Sequence, residues 1–467
     1  MTSSNPTNEA ARAIRLTPRL SRYGGPPSAS TGFRRPPLRH HRRAAAAGMS
    51  VVDMIVVALM VLALTAIFTL STAMLTNWKI HYLTEGGNFY EKLHPATYLI
   101  FLSLGLLLLR NSDPIGEANR ILSESKLVLV YLLCWMILLI QTFLLDRPFT
   151  FIIDTFLLPV LLCLVIWRLS PSQRRPLVWA VHFTILLNVA LGYYEYLSGH
   201  RLIPLTVGNL LVLGEWRSAA FLGHPLTASG LVGGYVLALF LRPAICPPLL
   251  LRLPLIAFCS GSLMVFGGRT ALVTVLAVIA CVISVRILRF LRGGRISLPA
   301  ALVILCVFFA AAAVVVAALD SGIFDKMLLR FSSDKGSALA RFATFHLLSH
   351  FSWSELLLAP NATRVSALQS QLGLVYGIEN FWISCITQVG VIMTALLTLA
   401  LIALFAEILR RSSPAAWAIV FLILMIAASS VSFSSKNIQL AQFIILITLL
   451  LPRDRSPVVS QTRRSGS

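Results

Sequence analysis

The sequence predicts an all-α, polytopic integral membrane protein with about twelve transmembrane helices and one large polar loop. Of its 467 residues, 57% are hydrophobic and 12% are charged, whereas soluble domains carry about 25% charged residues. The chain offers around twelve apolar runs, and about 20 apolar residues are needed to cross a hydrocarbon core of roughly 30 Å. Most runs are joined by short connections, so we expect one membrane domain rather than several soluble ones.

Residues 1–48 form a separate basic segment. Nine arginines face a single acid, Glu9, and Pro, Ser and Gly are frequent. A segment of this composition does not bury enough apolar surface to offset the entropy lost on ordering, which predicts a disordered cytoplasmic tail. The alternative is that translation starts at Met49, just before the first apolar run. That run is too long for a cleaved signal peptide, and no clear cleavage site follows it.

The apolar segments of the membrane domain, residues 49–452, follow one another closely. The second is short for a span, so it would need to tilt or to thin the bilayer locally. Only Gly267, Gly268 and Arg269 separate the seventh from the eighth, which predicts a tight antiparallel hairpin. The predicted segments are 53–76, 96–109, 127–145, 151–168, 177–196, 224–241, 248–266, 270–287, 298–318, 381–406, 415–432 and 438–452.

Arginines mark alternate connections. They follow the even-numbered segments and also occupy both terminal regions, including a C-terminal tail at 453–467, and basic loops stay on the cytoplasmic side of a membrane. Both termini are therefore predicted to be cytoplasmic, and the three longest polar connections, 77–95, 197–223 and 319–380, to lie outside. The net charge of +21 then reflects membrane orientation and anionic lipid rather than nucleic acid. The arginines at these alternate connections are Arg110, Arg120, Arg168, Arg174, Arg175, Arg242, Arg286, Arg289, Arg292, Arg295, Arg410 and Arg411.

Missing motifs disfavour several functional classes. No lysine follows a glycine, so there is no P-loop for a nucleoside triphosphate. No Asp-x-Asp pair occurs to hold the metal that many nucleotide-sugar glycosyltransferases use. The seven cysteines lie in or beside apolar segments without a CxxC, so we expect neither a disulfide nor a metal site. Few acids fall within the spans, whereas an ion-coupled transporter needs ionisable groups there.

Arginines at the outer side are candidates for binding an anion. Arg217, Arg269 and Arg341 would converge on one pyrophosphate if their loops fold together, because guanidinium stays ionised and holds phosphate with a fork of donors. Arg269 favours this interpretation most, since a two-glycine turn between spans needs no charge. The alternative is that such arginines extend to the interface or pair with acids. The candidate acids are Asp320, Asp325 and Glu355.

Two further features lie in the long connection, 319–380. His346 and His350 share one face of a predicted helix at about 336–351, where they would bind metal or, with no further ligand in view, simply be solvated. Glu379 lies where the connection re-enters the membrane, and a carboxylate there is costly unless paired. It would act as a base on a sugar hydroxyl, or form a structural salt bridge, or sit as a charge at a helix N-terminus.

These stretches resemble the O-antigen polymerase and ligase family of bacterial envelope enzymes. Arg217 to Pro225 is similar to the family's Arg-x-x-Gly-x-Phe-x-His-Pro element, with Ala220 in place of the first glycine. Gly268 to Leu272 resembles its Ser/Gly-Arg-Thr/Ser-Ala-Leu element. The resemblance covers roughly residues 180–410, and a group related to biofilm exopolysaccharide proteins of the VpsF type looks closest.

The long connection carries the other two elements of the resemblance. Arg341 with Phe345 resembles the Arg-x-x-x-Trp segment of the family's large periplasmic loop. The stretch from Glu379 to Trp382, with Gly390 downstream, resembles the closing His-Asn-x-x-Leu element and its glycine. Family ligases typically carry histidine where this chain has glutamate, which favours a polymerase.

The resemblance implies a GT-C-like protein of the bacterial inner membrane that polymerises a cell-surface polysaccharide. It implies a metal-independent glycosyltransferase without a cofactor, whose donor is a glycan on undecaprenyl diphosphate and whose acceptor is a lipid-linked sugar. Expected partners are this lipid-linked glycan and membrane lipid, with a chain-length regulator and export proteins as candidates and no nucleic acid. The alternatives are an O-antigen ligase and a lipid-linked oligosaccharide flippase. A flippase is expected to have two related halves and a central cationic cavity, whereas here the arginines concentrate at one outer edge.

The resemblance also implies roles for individual residues. Arg269 and Glu379 are the candidate catalytic residues, the first stabilising charge on the leaving diphosphate and the second acting as a base. The candidate substrate-binding residues are Arg217, His224, Arg341 and Asn380.

Overall fold

The computed structural model describes residues 49–83, 86–145, 149–207, 210–212, 215–241, 249–293, 337–374, 377–430 and 433–453, with isolated positions between 298 and 329. Every helix named below belongs to the second of the two units into which the chain divides, Ser50–Ser467. The predicted tails at 1–48 and beyond Arg453 lie outside the described residues.

Helices build the second unit. A capping box at Ser170 starts the longest unbroken helix, and Gly199 in the left-handed conformation ends it. One short hairpin, β1 (Thr206–Val207) and β2 (Leu210–Leu211), lies in the connection that follows. The described helices are α1 (Val51–Thr69), α2 (Thr72–Asn77), α3 (Pro95–Leu109), α4 (Pro114–Ser123), α5 (Lys126–Leu144), α6 (Thr150–Arg168), α7 (Pro171–Ser198), α8 (Pro225–Leu241), α9 (Leu249–Phe266), α10 (Arg269–Leu291), α11 (Ser337–Leu348), α12 (Trp353–Leu358), α13 (Ala362–Gln371), α14 (Phe381–Arg411), α15 (Ala416–Ser429) and α16 (Gln439–Leu450).

Several of these helices are suited to a bilayer. Six are long and apolar enough to cross it, namely α1, α5, α6, α7, α10 and α14, and α3 with α4 adds a seventh if the two form one span bent by 110°. Helices α8, α9, α15 and α16 are apolar but shorter. Large apolar side chains such as Leu133 and Ile140 of α5 are exposed, and so wide an apolar surface indicates contact with lipid. The protein is therefore a membrane protein, as predicted.

Eleven of the twelve predicted segments contain a described helix; the ninth, 298–318, lies largely outside the described residues. The first segment is interrupted at Leu70, because Ser71 caps a new helix by accepting a hydrogen bond from the Met74 backbone N–H at 3.3 Å. The short second segment, α3, is followed by the sharp bend into α4, whose start is capped by Asp113. The sequence did not predict this helix, although its Asp-Pro start is a common N-terminal signal.

Helix α8 lies at the centre of the membrane domain, and nearly all of its side chains are buried. A Cβ added to Gly233 would lie 3.0 Å from Val275 of α10, and one on Gly234 would lie 3.0 Å from Leu446 of α16. Glycine thus permits the close approach that is common between membrane helices. The predicted tight turn joins α9 to α10. Each of these two helices packs mainly against α8 rather than against the other, so the two arms of the hairpin are apart.

The helix ends that the charge alternation assigns to the cytoplasm meet at one face, which we call the arginine-rich face. Ion pairs and hydrogen bonds connect ends that are far apart in the sequence. These contacts join Arg110 to Asp53, Arg168 to Glu117 at 2.5 Å, and Arg411 to the Ser125 hydroxyl at 2.7 Å. The alternation therefore predicted correctly which ends lie together.

The other helix ends meet at the opposite face, partly around Asp154, a fully buried acid at the start of α6. Its carboxylate accepts hydrogen bonds from the Tyr82 hydroxyl at 2.8 Å, the Thr97 hydroxyl at 2.7 Å and the His94 backbone N–H at 3.0 Å. The Lys436 ammonium lies 4.0 Å away, and burial lowers the pKa of Lys436 to about 8. This acid thus holds the first polar connection against the helices.

The long connection, 319–380, contains α11, α12 and α13, and α11 confirms the helix predicted around His346. An added Cβ on Gly390 of α14 would lie 2.6 Å from the Leu357 carbonyl oxygen and 2.7 Å from the Ala359 nitrogen. Gly390 has φ +84 and interrupts α14, so the connection packs into a kink of that helix. An apolar cluster holds the three short helices to the start of α14. It comprises Leu347, Phe351, Leu356, Val365, Leu374, Ile378 and Ile383.

Cysteine labelling tests the two faces and their orientation. Ile115 of α4 is 83% exposed at the arginine-rich face, and Trp353 of α12 is 77% exposed in the long connection. Because basic loops stay in the cytoplasm, we expect a membrane-impermeant maleimide to label Trp353→Cys in intact cells and Ile115→Cys only in opened cells. The unsubstituted protein gives the background from its own cysteines. Labelling of both variants from one side would contradict the arrangement, and the reverse pattern would contradict the orientation.

Candidate functional site

Glu195, near the end of α7, holds both ends of the loop 199–223 that leads to α8. Its Oε1 accepts a hydrogen bond from the backbone N–H of Leu202 at 2.8 Å, and its Oε2 accepts two more, from Ala219 and Ala220, both at 2.9 Å. Glu195 is buried, and these charge-assisted bonds compensate for the water that its carboxylate has lost. The stretch from Arg217 to Pro225, which we call the first candidate element, is therefore positioned by an acid outside it.

The turn from Ala220 to Gly223 places His224 at the start of α8. Ala220 has φ +50 and Gly223 has φ +73, which is the left-handed region that favours glycine. Ala220 occupies the position where the family element has glycine, and its conformation costs roughly 1–2 kcal/mol. Asn188 of α7 accepts a hydrogen bond from the Phe221 backbone N–H at 3.1 Å and holds the turn against the helix.

Arg217 lies directly against the turn between α9 and α10. A Cβ added to Gly267 would lie 2.7 Å from Arg217 Cδ and 3.2 Å from the Trp216 ring. Gly267 also has φ +66, so glycine provides both the turn and the room for the arginine. The Arg217–Pro225 and Gly268–Leu272 stretches, far apart in the sequence, thus lie side by side, with Arg217 against the turn that ends at Arg269.

The structure pairs Arg217 with its sequence neighbour Glu215. Arg217 Nε donates to Glu215 Oε1 at 2.8 Å, and Nη2 donates to Oε2 at 2.6 Å. Their side chains are only 16% and 14% exposed, so solvent screens this bidentate pair weakly. The sequence predicts Arg217 as a diphosphate ligand, whereas in the structure an acid compensates much of its charge.

The helix starts that carry Arg269 and Glu379 are both attached to the end of α15. The Ser429 hydroxyl donates to Thr270 Oγ1 at 3.0 Å. The Asn380 side-chain amide donates to the carbonyl oxygen of the residue before Ser429, at 3.4 Å. The second candidate element (Gly268 to Leu272) and the fourth (Glu379 to Trp382) are therefore both attached to the end of α15, at the same face of the protein.

Asn380 and Arg341 are placed by helices. Asn380 caps α14, because its Oδ1 accepts a hydrogen bond from the Ile383 backbone N–H at 3.1 Å, and such caps typically contribute about 1 kcal/mol. This predicted substrate-binding residue thus has a structural task as well. Arg341 lies in α11, which packs against α14, so the third element is at the same face. Of Arg341, only its place in this helix is described.

His224 exposes part of its surface although protein atoms surround it, as expected for a side chain lining a recess. Burial, together with the nearby charges of Arg217 and Arg201, lowers its pKa to about 4. The imidazole is therefore neutral near pH 7. Its Nδ1 accepts a hydrogen bond from the Leu226 backbone N–H at 3.2 Å, which leaves Nε2 as the protonated nitrogen and a donor.

His346 and His350 lie side by side, with ring centroids 4.7 Å apart. His350 Nδ1 lies 3.0 Å from the His346 carbonyl oxygen, so a local contact explains the pair. Across the described ranges, no group of three His, Cys, Asp or Glu side chains could hold a metal ion.

Two residues of this region were missed by sequence analysis, Glu195 and Arg201. The signal for Glu195 was available, since an acid at the end of an apolar helix is costly unless it is paired. Arg201 follows the helix-ending Gly199, and no local pattern distinguishes it from other loop arginines. Its importance appears only when its spatial neighbours are known.

Comparison with known proteins adds nothing to the geometry of these residues. No protein-family model, no curated protein and no solved structure matches the chain.

Replacing Gly267 with Ala should displace Arg217. The variant adds a methyl group where Arg217 lies and forces alanine to a positive φ, at roughly 1–2 kcal/mol, so we expect a lower melting temperature and loss of function. The matched control is Gly199→Ala, which has φ +71 but nothing within 4 Å of the added Cβ. Thermal melting of the purified proteins measures the first effect, and complementation of a deletion strain measures the second. Equal behaviour of the two variants would contradict a specific role for the Arg217 contact.

Replacing Glu195 with Gln should loosen the loop 199–223. One carboxylate oxygen becomes an amide that faces backbone N–H groups, so at least one buried donor loses its acceptor, at about 1–3 kcal/mol. We expect a lower melting temperature and faster tryptic cleavage after Arg201 and Arg217. Glu91→Gln is the control, because it removes an acid from another polar connection, where its carboxylate bonds to His81 and Asn88. Unchanged cleavage at both arginines would show that Glu195 does not order the loop.

Proposed function

We propose that this protein polymerises a bacterial cell-surface polysaccharide. It transfers a glycan from undecaprenyl diphosphate to a lipid-linked acceptor sugar at the periplasmic face of the inner membrane, with both of its termini in the cytoplasm. A chain-length regulator and export proteins are its candidate partners. The proposal needs no metal, in keeping with the missing Asp-x-Asp pair.

The observation that carries the proposal is the contact between Arg217 and the Gly267–Gly268 turn. The two elements that resemble the O-antigen polymerase and ligase family are separated by helices α8 and α9, yet they meet at the face opposite the arginine-rich one. The fourth element is attached to the second through the end of α15. Convergence of this kind supports a common site for groups that a linear motif only suggests.

The proposed reaction is a displacement at the anomeric carbon of the donor sugar. The acceptor hydroxyl oxygen forms the new bond and gives up its proton to a base, for which Glu379 is the candidate. The bond from the anomeric carbon to the diphosphate oxygen breaks, and undecaprenyl diphosphate leaves with the electron pair. Arg269 at the start of α10 stabilises the negative charge that develops on this leaving group.

A deletion strain whose lipid-linked sugars are followed tests the proposal. We expect single repeat units to accumulate at the periplasmic face and long chains to disappear. Long chains retained on the carrier would indicate a ligase instead, and repeat units retained at the cytoplasmic face would indicate a flippase.

Complementation of that strain tests the role of Arg269. Because lysine cannot present the guanidinium fork, Arg269→Lys should reduce polymer formation on the order of a hundredfold while the protein stays in the membrane. Arg364→Lys is the control, an exposed arginine paired with Glu355 in the long connection. Near-normal polymer from Arg269→Lys would contradict the proposed stabilisation of the diphosphate.

A further inference from the structure

We propose that Arg201 binds a phosphate or diphosphate group, and that His224 donates a second hydrogen bond to it from Nε2. The identity of this ligand as the donor lipid rests on the proposed function, but the anion site is argued from the side chains alone. Neither the composition nor the family resemblance pointed to Arg201.

The guanidinium group of Arg201 has no protein partner. Its Nε, Nη1 and Nη2 are all buried, and none makes a hydrogen bond with any part of the chain that the structure describes. Buried polar groups are normally satisfied, and an ionised group without a partner is more costly still. Burial accordingly lowers the pKa of Arg201, although guanidinium remains charged near neutral pH.

The two nearest acids do not provide that partner. Glu195 and Glu215 both raise the pKa of Arg201 through their charges, so they lie nearby. The oxygens of Glu195, however, accept hydrogen bonds from three backbone N–H groups of the loop. Those of Glu215 accept the bidentate pair from Arg217. Arg201 is thus left as a fork of five donors that is directed at neither acid.

His224 adds a neutral donor to the same recess. Glu195 holds Leu202 beside Ala219 and Ala220, which places Arg201 close to the segment that leads into His224, and solvent reaches the imidazole. A phosphate oxygen needs donors of this kind, and a guanidinium with one neutral N–H provides them without an acid to repel the anion. Lys326, at the beginning of the long connection, lies 5.9 Å from the centre of the Tyr196 ring and brings a further positive charge to this end of α7.

A structural role and a binding role for Arg201 make opposite predictions. If Arg201 stabilised the fold, removing its charge would lower the melting temperature of the protein. If Arg201 serves a ligand, its buried charge destabilises the protein when that ligand is absent, as functional groups often do. Arg201→Gln should then melt at or above the temperature of the unsubstituted protein. The ligand should in turn raise the melting temperature of the unsubstituted protein only.

The experiment uses the full chain in phosphatidylcholine nanodiscs. Inorganic pyrophosphate, farnesyl diphosphate and farnesol are added separately, and the dissociation constant and melting temperature are measured. We expect both diphosphates but not farnesol to bind, and Arg201→Gln to weaken binding at least tenfold, which corresponds to about 1.4 kcal/mol. Arg201→Lys should lie between the two, and Arg364→Gln, which removes the same charge from the long connection, should bind normally. Tighter binding of farnesyl diphosphate than of pyrophosphate identifies a lipid-linked source, and equal binding identifies free diphosphate.

Two results would overturn the inference. One is unchanged binding of both diphosphates by Arg201→Gln. The other is a fall in the melting temperature of that variant without ligand, which would make Arg201 structural. Because the binding assay needs neither sugar nor acceptor, Arg201-dependent binding in a protein whose deletion leaves polymer intact would keep the site and reject the polymerase. Loss of polymer in the deletion strain together with normal binding by Arg201→Gln would do the reverse.

Discussion

The candidate site depends on one buried carboxylate, that of Glu195. Its two oxygens accept three backbone hydrogen bonds, one from the beginning of the loop 199–223 and two from its end. A carboxylate at the end of a membrane helix is costly unless it is satisfied, so the loop and the acid stabilise each other. Arg217 and His224 lie next to or within the segment held in this way, and without Glu195 neither would have a defined position. The same bonds determine the charge balance of the region, since an acid that backbone groups saturate forms no direct pair with Arg201.

Two glycines provide the second constraint, because each of the two marks a place where two parts of the chain are closer than a side chain allows. Gly267 gives room to Arg217, and Gly390 gives room to the backbone of the long connection at Leu357 and Ala359. Both glycines have positive φ. In a linear motif such residues look like simple turn signals. In the structure they allow the outer elements of different helices to come together.

The sequence predicts the coarse architecture well, because composition and charge alternation are properties that each segment carries locally. Apolar runs mark the helices, and the arginines correctly group the helix ends into two faces. The partners of individual charges were not predictable in the same way. The pairing of Arg217 with Glu215, the saturation of Glu195 and the isolation of Arg201 all depend on where the loop 199–223 folds back. The break at Leu70 and the kink at Gly390 were also missed, since an apolar run looks the same whether or not its helix is interrupted.

These pairings change which residues we propose as ligands of the anion. The sequence offered three arginines as ligands for one pyrophosphate, but a guanidinium that already forms a bidentate pair must give up that pair or share it before it holds phosphate. Arg217 is in this position and is better suited to shaping the turn at Gly267. The guanidinium donors of Arg201 form no hydrogen bond with the described residues. Neutral His224 adds a hydrogen-bond donor without adding charge. We therefore propose that Arg201 and His224 hold the diphosphate, while Arg269, on a separate helix, stabilises the charge that appears only as the glycosidic bond breaks in the proposed reaction.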